Sequence, residues 1–349
     1  MLMAGLTPSS PSSQASQKLL TPLVVIINAS AGSGYDAQWV QSFGNRFQAH
    51  GFEPVVTLAK DGGAMIAAAR QAVADGVAIV VAGGGDGTIN AVASVLVGTA
   101  TAFGVLPLGT LNHFAKDLCI PLQLDEAIAN LALGVHRQID VGEVNTKIFL
   151  NNSSLGLYPD IVRDREKQQR RLGRGKWLAF GWAVLAALHR YPFLSVRLHL
   201  STGRHARRTP FVFIGNNEYT MQGFNIGERA RLDGGMLSLY VAQRPGRLGL
   251  LRLALHALTG RLAQAKDFDV LLAPELEVVT RHKRLRVATD GEVTIMTTPL
   301  RYRIRPAALT VIVPATANSS GNGSGSNPAK SAGKNSGHPS ALRDVVSKG

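Results

Sequence analysis

The sequence predicts an α/β amino-terminal domain with a parallel sheet, followed by an antiparallel β-rich domain. Three observations support this prediction. Apolar, β-branched runs alternate with helical patterns up to residue 140, short β-rich segments follow beyond it, and three consecutive glycines at 83–85 join a strand to a helix. Strands that alternate with helices form right-handed crossovers and hence a parallel sheet.

The first domain is expected to span residues 21–140. Strands are predicted at 23–27, 52–59, 77–81 and 102–106, with helices around 39–47, at 63–75 and at 88–98. Three of these strands run into loops of small residues, at 28–34, 83–88 and 107–113. Such loops lie at the carboxyl edge of a parallel sheet, where ligands bind. Their convergence favours a nucleotide site over a set of purely structural turns, although glycine content alone would allow either.

The second domain is expected at residues 141–314. Short β-rich segments recur at 147–151, 195–200, 210–215, 236–242, 275–280, 284–288, 293–297 and 309–313, with helices predicted at 176–189 and 248–264. This pattern is typical of an antiparallel sandwich or barrel. Residues 1–20 and 315–349 are rich in small polar residues, which predicts a disordered leader and a disordered tail.

The charge balance indicates an anionic partner. The 349 residues include 37 Lys or Arg and 23 Asp or Glu, for a net charge of +14, which suits nucleic acid, nucleotide or an anionic lipid surface. Cys119 is the sole cysteine, so a reducing compartment is expected. No export signal is apparent, and the longest apolar stretch, 177–188, is too short to cross a bilayer. These features predict a cytoplasmic protein.

The glycine run suggests phosphoryl transfer. Glycines let backbone N–H groups approach a phosphate, and the start of the following helix adds its positive dipole end. Asp86 within this loop would repel a bare phosphate, which makes sense if Mg²⁺ or a substrate hydroxyl lies between them. On glycines alone, a tight structural turn is an equally good interpretation.

The motifs narrow the class of phosphotransferase. Walker A, protein-kinase and zinc patterns are absent from the sequence. The chain instead carries Gly84-Gly85-Asp86-Gly87-Thr88, Leu108-Gly109-Thr110-Leu111-Asn112 and Asp290-Gly291-Glu292. Over residues 22–314 this combination closely resembles the diacylglycerol kinase catalytic domain family of lipid kinases, which includes bacterial diacylglycerol kinases and sphingosine kinases. The first motif is shared with NAD kinases and phosphofructokinases, whereas the second, with Pro107 before it and Phe114-Ala115 after it, is typical of the lipid kinases.

The resemblance implies a Rossmann-like kinase domain, an antiparallel β-sandwich, and ATP and Mg²⁺ as cofactors. The implied reaction transfers the γ-phosphoryl group to the hydroxyl of diacylglycerol or a related lipid. The expected partners are ATP and a lipid at a membrane surface, with no nucleic acid, and a homodimer is one expected assembly. The expected location is the cytoplasm, peripherally associated with the inner face of the membrane. An NAD kinase and a nucleotide-binding module without turnover are the alternatives.

The resemblance also implies site residues. The nucleotide-binding set is Asn28, Ala29, Ser30, Ala31, Gly32, Lys60, Gly84, Gly85, Asp86, Gly87, Thr88, Ile89, Asn90, Ala91, Gly109, Thr110 and Asn112. In this set Ala29, Ala31 and Lys60 depart from the family pattern, and His113, just beyond it, replaces the usual aspartate.

The implied catalytic set is Asp86, Asp140, Asp290 and Glu292. Asp86 would manage Mg²⁺ and the transferred group, Asp140 would face the same cleft, and Glu292, with Asp290 beside it, would be the general base. By itself, Asp-Gly between β-rich segments indicates a hairpin turn. A structural Mg²⁺ is implied at Arg231, Asp233 and Met236, although Gly234 replaces a second aspartate.

Residues 163–176 are strongly basic and lead into an apolar run that begins at Trp177. One interpretation is a charged loop before a core helix. The other is a surface that docks on anionic lipid.

Overall fold

The computed structural model describes residues 20–29, 37–156, 194–200, 203–209, 211–222, 225–229, 231–242 and 268–315. The predicted helices at 176–189 and 248–264, the basic segment 163–176, nearly all of the leader and tail, and site residues Ser30, Ala31 and Gly32 lie outside these ranges. Within the described ranges, none of the helices combines the length and the apolar character needed to cross a bilayer.

The amino-terminal part is an α/β unit with a parallel sheet, as predicted. Its strands are β1 (Thr21–Asn28), β2 (Phe52–Ala59), β3 (Ile79–Gly84) and β4 (Ala102–Pro107), and its helices are α1 (Ala37–Gln48), α2 (Gly62–Ala74), α3 (Asp86–Leu96), α4 (His113–Asp117) and α5 (Leu124–Leu133). The strands lie in the order β2–β1–β3–β4, all parallel. The helices α4 and α5 were not predicted.

The sheet has an apolar core on each face. Val80 and Ala82 of β3 pack in one cluster with the helices α2 and α3, whereas Ile79 and Val81 pack in the other with α1 and α5. A strand covered on both faces reads as a continuous apolar run. This explains why β3 is recognisable from its sequence.

The carboxyl-terminal part is an antiparallel β-sandwich. Its strands are β5 (Val135–Val144), β6 (Lys147–Phe149), β7 (Asn152–Gly156), β8 (Leu194–Leu200), β9 (Gly203–Thr209), β10 (Phe211–Asn216), β11 (Tyr219–Gln222), β12 (Asn225–Arg229), β13 (Leu237–Ala242), β14 (Phe268–Ala273), β15 (Glu275–Thr280), β16 (Arg284–Thr289), β17 (Glu292–Thr297) and β18 (Leu300–Val313). One layer has the order β14–β13–β10–β7–β16–β17, and the other contains β9, β8, β15 and the first half of β18. A single apolar cluster joins the two layers, with Leu155 and Val212 from the first and Val196 and Val278 from the second. The fold is therefore a sandwich rather than a barrel.

Strand β18 connects the two parts. It pairs in parallel with β4 and antiparallel with β5 and β15, which makes one continuous ten-stranded sheet. Its register is irregular between Arg305 and Leu309, where Ala307 has a φ of 48°. Only its second half, 309–313, was predicted from the sequence. Residue 140, the predicted domain boundary, lies inside β5.

Candidate active site

The glycine loop joins β3 to α3 at the carboxyl edge of the parallel sheet. Gly85 is the extended residue before α3, and its carbonyl accepts the first helical hydrogen bond from Ile89 N at 3.1 Å. Gly87 is exposed and Asp86 is partly exposed, whereas Thr88 and Ile89 are buried. The open first turn of α3 therefore presents a carboxylate beside unsatisfied backbone N–H groups. Because the Ile89 side chain packs in the core, only its backbone could serve a ligand.

The loop at 108–112 packs directly on the glycine loop. A Cβ atom on Gly109 would lie 2.4 Å from the Cα of Gly85, and one on Gly84 would lie 2.5 Å from the Oγ1 of Thr88. A Cβ atom on Gly87 would meet nothing within 4 Å. Gly109 is thus required by the close approach of the two loops, and Gly84 by the Thr88 side chain at the start of α3, reasons that the sequence did not reveal.

Asn112 braces its own loop. It is buried and adopts a left-handed conformation with a φ of 51°. Its Oδ1 accepts from Gly109 N at 3.1 Å, and its Nδ2 donates to Gly109 O at 2.8 Å and Pro107 O at 3.2 Å. The side chain is therefore engaged within the loop. Thr110, on the same loop, is exposed.

Further contacts tie neighbouring segments to α3. Asp86 Oδ1 accepts from Phe114 N at 3.2 Å, at the start of α4. Asn28 Nδ2, at the end of β1, donates to Thr88 Oγ1 at 3.2 Å. The buried Oδ1 of Asn90 has no hydrogen-bond partner among the described residues. Of the other predicted nucleotide residues, Lys60 is exposed beyond β2, Ala29 follows β1, and Ala91 is half-buried in α3.

The residues present fit a phosphate group with its Mg²⁺. The exposed turn at Gly87 leaves room above the start of α3, and Asp86 has a second carboxylate oxygen besides the one bonded to Phe114. No group of three His, Cys, Asp or Glu residues within the described ranges is placed to hold a metal ion. Mg²⁺ that arrives with a nucleotide needs only one or two carboxylates besides the phosphates. Asp86 would supply that carboxylate.

Asp140 lies in β5 and is buried. Its Oδ2 accepts from Gly235 N at 2.7 Å and its Oδ1 from Ala307 N at 2.9 Å. The carboxylate therefore holds the irregular turn of β18 against the loop at 231–236. This bracing contact was not predictable from the sequence.

Asp290 begins a two-residue hairpin between β16 and β17. The register pairs Thr289 with Glu292, and Asp290 and Gly291 both have positive φ, at 47° and 85°, as an Asp-Gly turn of this length requires. The hairpin interpretation is thus correct. Asp290 is partly exposed at the turn, and its carboxyl group points inward to three backbone N–H groups.

The Asp290 carboxylate holds the segment 150–152. Its Oδ2 accepts from Leu150 N at 2.7 Å, and its Oδ1 accepts from Asn151 N at 2.8 Å and Asn152 N at 3.0 Å. Burial raises the pKa of Asp290 to about 6, against the opposing effects of these three N–H groups and of the positive charge on Arg229. Asp290 is therefore an internal anchor for this segment.

Glu292 lies next to this anchor but points outward. It is the first residue of β17, and its side chain is 68% exposed. Its Oε2 accepts from the Nζ of Lys147 at 2.8 Å. The two acidic residues of the Asp-Gly-Glu motif thus have different surroundings, and Lys147 is a neighbour that the motif did not reveal.

The predicted structural metal set has different partners. Asp233 Oδ2 pairs with Arg137 Nη2 at 3.3 Å, its Oδ1 pairs with Arg231 Nε at 3.2 Å, and the Met236 carbonyl accepts from Asn217 N at 3.1 Å. Burial raises the pKa of Asp233, but the two guanidinium groups outweigh this effect and hold the pKa below its usual range. The set therefore offers one carboxylate that two positive charges already neutralise. These residues do not fit a divalent cation.

We expect chelation to leave the folded protein unchanged. The melting temperature of the nucleotide-free protein in about 5 mM EDTA should stay within about 1 °C of its value in Mg²⁺. The reason is that Arg137, rather than a metal ion, supplies the positive charge at Asp233. Differential scanning calorimetry measures this. A fall on chelation that Mg²⁺ reverses would contradict it.

One buried ion pair, between Arg229 and Asp117, was not predicted from the sequence. The Arg229 side chain is fully buried, and its Nη2 donates to Asp117 Oδ2 at 2.7 Å. The two residues are 112 positions apart. No local sequence pattern predicts such a pair, since it forms only when β12 packs against α4.

Comparison with known proteins agrees with this architecture. Residues 22–144 match the family profile described as "Diacylglycerol kinase catalytic domain", and residues 160–313 match "YegS C-terminal NAD kinase beta sandwich-like domain". A Pseudomonas aeruginosa (strain PAO1) protein named "Probable lipid kinase YegS-like" is 32% identical over 256 residues, which cover 70% of this chain and 80% of that protein. A Chromohalobacter salexigens protein of the same name is 29% identical, with 77% of this chain and 86% of that protein covered.

A solved structure shares the fold. A crystal structure described as a diacylglycerol kinase from Bacillus anthracis superposes with a TM-score of 0.61 at 19% identity, covering 85% of this chain and 98% of that chain. Both the α/β unit and the sandwich are thus found together in a known protein. The two profile matches and the relatives show that the chain belongs to the YegS-like family of lipid kinases, with an amino-terminal part that matches the diacylglycerol kinase catalytic domain.

Proposed function

We propose that the protein transfers the γ-phosphoryl group of ATP, bound with Mg²⁺, to the hydroxyl of diacylglycerol or a related glycerolipid or sphingoid base. The observation that carries the proposal is the open turn at Asp86 and Gly87, clasped by the loop at 108–112. It combines a helix start suited to phosphate with one accessible carboxylate. The family match supports a lipid as the acceptor.

In this proposal the chain binds and orients the nucleotide from the carboxyl edge of its parallel sheet. The N–H groups at the start of α3 hold phosphate oxygens, and Asp86 holds the Mg²⁺ that neutralises charge on the transferred group. The contact from Asp86 to Phe114 fixes the direction of that carboxylate. Phosphoryl transfer demands little covalent chemistry from a protein, so positioning and charge account for most of the catalysis.

Glu292 is the proposed proton acceptor. When a lipid hydroxyl attacks the γ-phosphorus, its proton must leave. The exposed Glu292 carboxylate, directly after the hairpin turn, can accept that proton from a substrate presented at a membrane. The ion pair with Lys147 orients the Glu292 carboxylate. Asp290, which is engaged by three backbone N–H groups, supports the hairpin rather than the proton transfer.

Glu292→Gln should lower kcat for lipid phosphorylation by at least about a hundredfold, since a general base contributes that much or more. The ATP dissociation constant should stay within about threefold, because only the proton acceptor is lost. The matched control is Glu277→Gln. Glu277 is also a glutamate on a strand, and it forms an ion pair with Arg301. Steady-state kinetics and nucleotide titration measure the two quantities. Parental turnover by Glu292→Gln, or an equal loss in Glu277→Gln, would rule out this role.

The acceptor class is tested with a panel. Purified protein is incubated with labelled ATP, Mg²⁺ and vesicles that contain diacylglycerol, a sphingoid base or neither, beside a reaction that offers NAD. We expect label in a lipid extract and none in NAD. Label in NAD alone would overturn the proposal in favour of an NAD kinase, and binding of ATP without any transfer would favour a non-catalytic module. Peripheral docking on the membrane through residues 163–176 stays a prediction.

A further inference from the structure

Arg229, at the end of β12, is a charged side chain without solvent contact. Its five N–H donors match five hydrogen bonds, to Asp117 Oδ2 at 2.9 and 2.7 Å, Leu150 O at 2.6 Å, Asn216 O at 3.1 Å and Asn151 Oδ1 at 2.9 Å. A buried charge is costly unless it is fully paired and hydrogen-bonded. All five hydrogen bonds are therefore needed to keep the buried Arg229 charge stable.

On one side the Arg229 contacts reach the nucleotide loops. Asp117 is the last residue of α4, a short helix that starts directly after Asn112. Within that helix, the N–H of Phe114 donates to Asp86. The position of Asp117 thus fixes the helix whose first turn holds the Asp86 carboxylate.

On the other side the contacts reach the Asp-Gly-Glu hairpin. Leu150 accepts from Arg229 through its carbonyl and donates to Asp290 through its N–H. Asn151 does the same with its side-chain oxygen and its N–H. Both Arg229 and Asp290 therefore hold the segment 150–152. Asp290 lies only two residues before Glu292 in the same hairpin.

Tyr219 closes the network. Its hydroxyl donates to Asn151 O at 2.9 Å, and the Arg229 Cζ lies 5.5 Å from the centre of its ring. Burial raises the pKa of Tyr219, so this hydroxyl keeps its proton and remains a donor. A continuous chain of contacts therefore links Asp86 to the hairpin that carries Glu292.

The geometry points to Arg229 as a positioning residue that fixes the glycine loop, which carries Asp86, relative to the hairpin that carries Glu292. It acts through Asp117 on one side and through the segment 150–152 on the other. This inference rests on the proposed function, in which Asp86 and Glu292 act on the two reactants. Arg229 itself, being buried, acts only through these neighbours. Its loss should therefore reduce kcat more than it reduces ATP binding.

The test separates positioning from simple stability. Arg229→Met combined with Asp117→Leu removes both charges together, and such apolar replacement of a buried ion pair often preserves folding. The double variant loses the bonds to Leu150 and Asn151. We expect kcat to fall at least about tenfold while the ATP dissociation constant stays within about threefold, because small misplacements of reacting groups are costly. The matched control is Arg46→Met with Asp125→Leu, an ion pair that joins α1 to α5, and it should keep parental kcat.

Hydrogen exchange supplies a readout that does not depend on turnover. In the double variant, amides of both 113–118 and 150–152 should exchange at least about tenfold faster than in the parent, while those of α5 stay unchanged. Faster exchange on one side only, or parental kcat in the folded double variant, would overturn the inference. If the double variant does not fold, Arg229→Lys, which keeps the charge but lacks the planar fork, should show the same split, and its parental behaviour would overturn the inference equally. If the parent transfers no label to lipid, the proposed function fails, and the exchange data still decide the coupling.

Discussion

Asp86→Asn should lower kcat for lipid phosphorylation by at least about a hundredfold, since the variant loses the negative charge that holds Mg²⁺ beside the transferred group. The fold should persist, because the asparagine oxygen can still accept from Phe114 N, as Asp86 Oδ1 does at 3.2 Å. Steady-state kinetics and thermal unfolding measure the two effects. Because the contact with Phe114 N is kept, the melting temperature of the variant should stay close to that of the parent.

Asp61→Asn is the matched control. Asp61 also lies at a helix start in the α/β unit, where its Oδ1 accepts from Ala64 N at 2.8 Å. Asparagine caps a helix as well as aspartate does, so kcat and stability should both be retained. Near-parental turnover by Asp86→Asn would contradict the assigned role, and an equal loss in Asp61→Asn would indicate a general effect of removing charge.

Gly109→Ala should damage both stability and nucleotide binding. The added Cβ atom would lie 2.4 Å from the Cα of Gly85, and because two backbones are in contact no side chain can move aside. We expect a loss of about 2 kcal/mol or more in the free energy of unfolding, as for overpacked sites. The displaced glycine loop should also weaken ATP binding at least about tenfold. Denaturant unfolding and nucleotide titration measure these changes.

Gly87→Ala is the stability control for this variant. A Cβ atom at Gly87 meets nothing within 4 Å, and the residue lies in the first turn of α3, where alanine is favoured over glycine. Its free energy of unfolding should equal or exceed that of the parent. If Gly109→Ala were as stable as Gly87→Ala, the two loops would not be packed as tightly as the structure indicates.

Local sequence patterns predicted much of the fold because the α/β unit and the β-sandwich each leave a short-range signal. The buried run at Val80 and Val81 identifies β3, and the small residues after it identify the edge where loops converge. Strand β18 was only half predicted. Its first half carries a recognisable strand signal, since buried and exposed residues alternate from Leu300 onward. What no window of residues can contain is the partner of its second half, because Val311 pairs with Phe103 of β4, about 200 positions away in the chain.

The candidate site shows the same division. Contiguous motifs identified the glycine loop and the Asp-Gly turn, because the residues that shape them are neighbours in the chain. The partners of Asp290 were not predictable, since packing brings them in from 138 to 140 positions away, and neither was the Asp117 partner of Arg229, 112 positions away. Likewise, the resemblance implied a metal at Asp233, and the Arg137 side chain that pairs with this carboxylate comes from 96 positions away.

Transfer of the γ-phosphoryl group from ATP to the lipid can be followed with labelled nucleotide. The protein is incubated with Mg²⁺, vesicles that contain diacylglycerol, and ATP labelled in either its γ- or its α-phosphate, and the extracted lipid is counted for the parent and for Asp86→Asn. We expect label in the lipid from γ-labelled ATP only, with at least about a hundredfold less in the variant. Lipid that acquires label from neither nucleotide while ATP is bound, or that is labelled equally by both proteins, would contradict it.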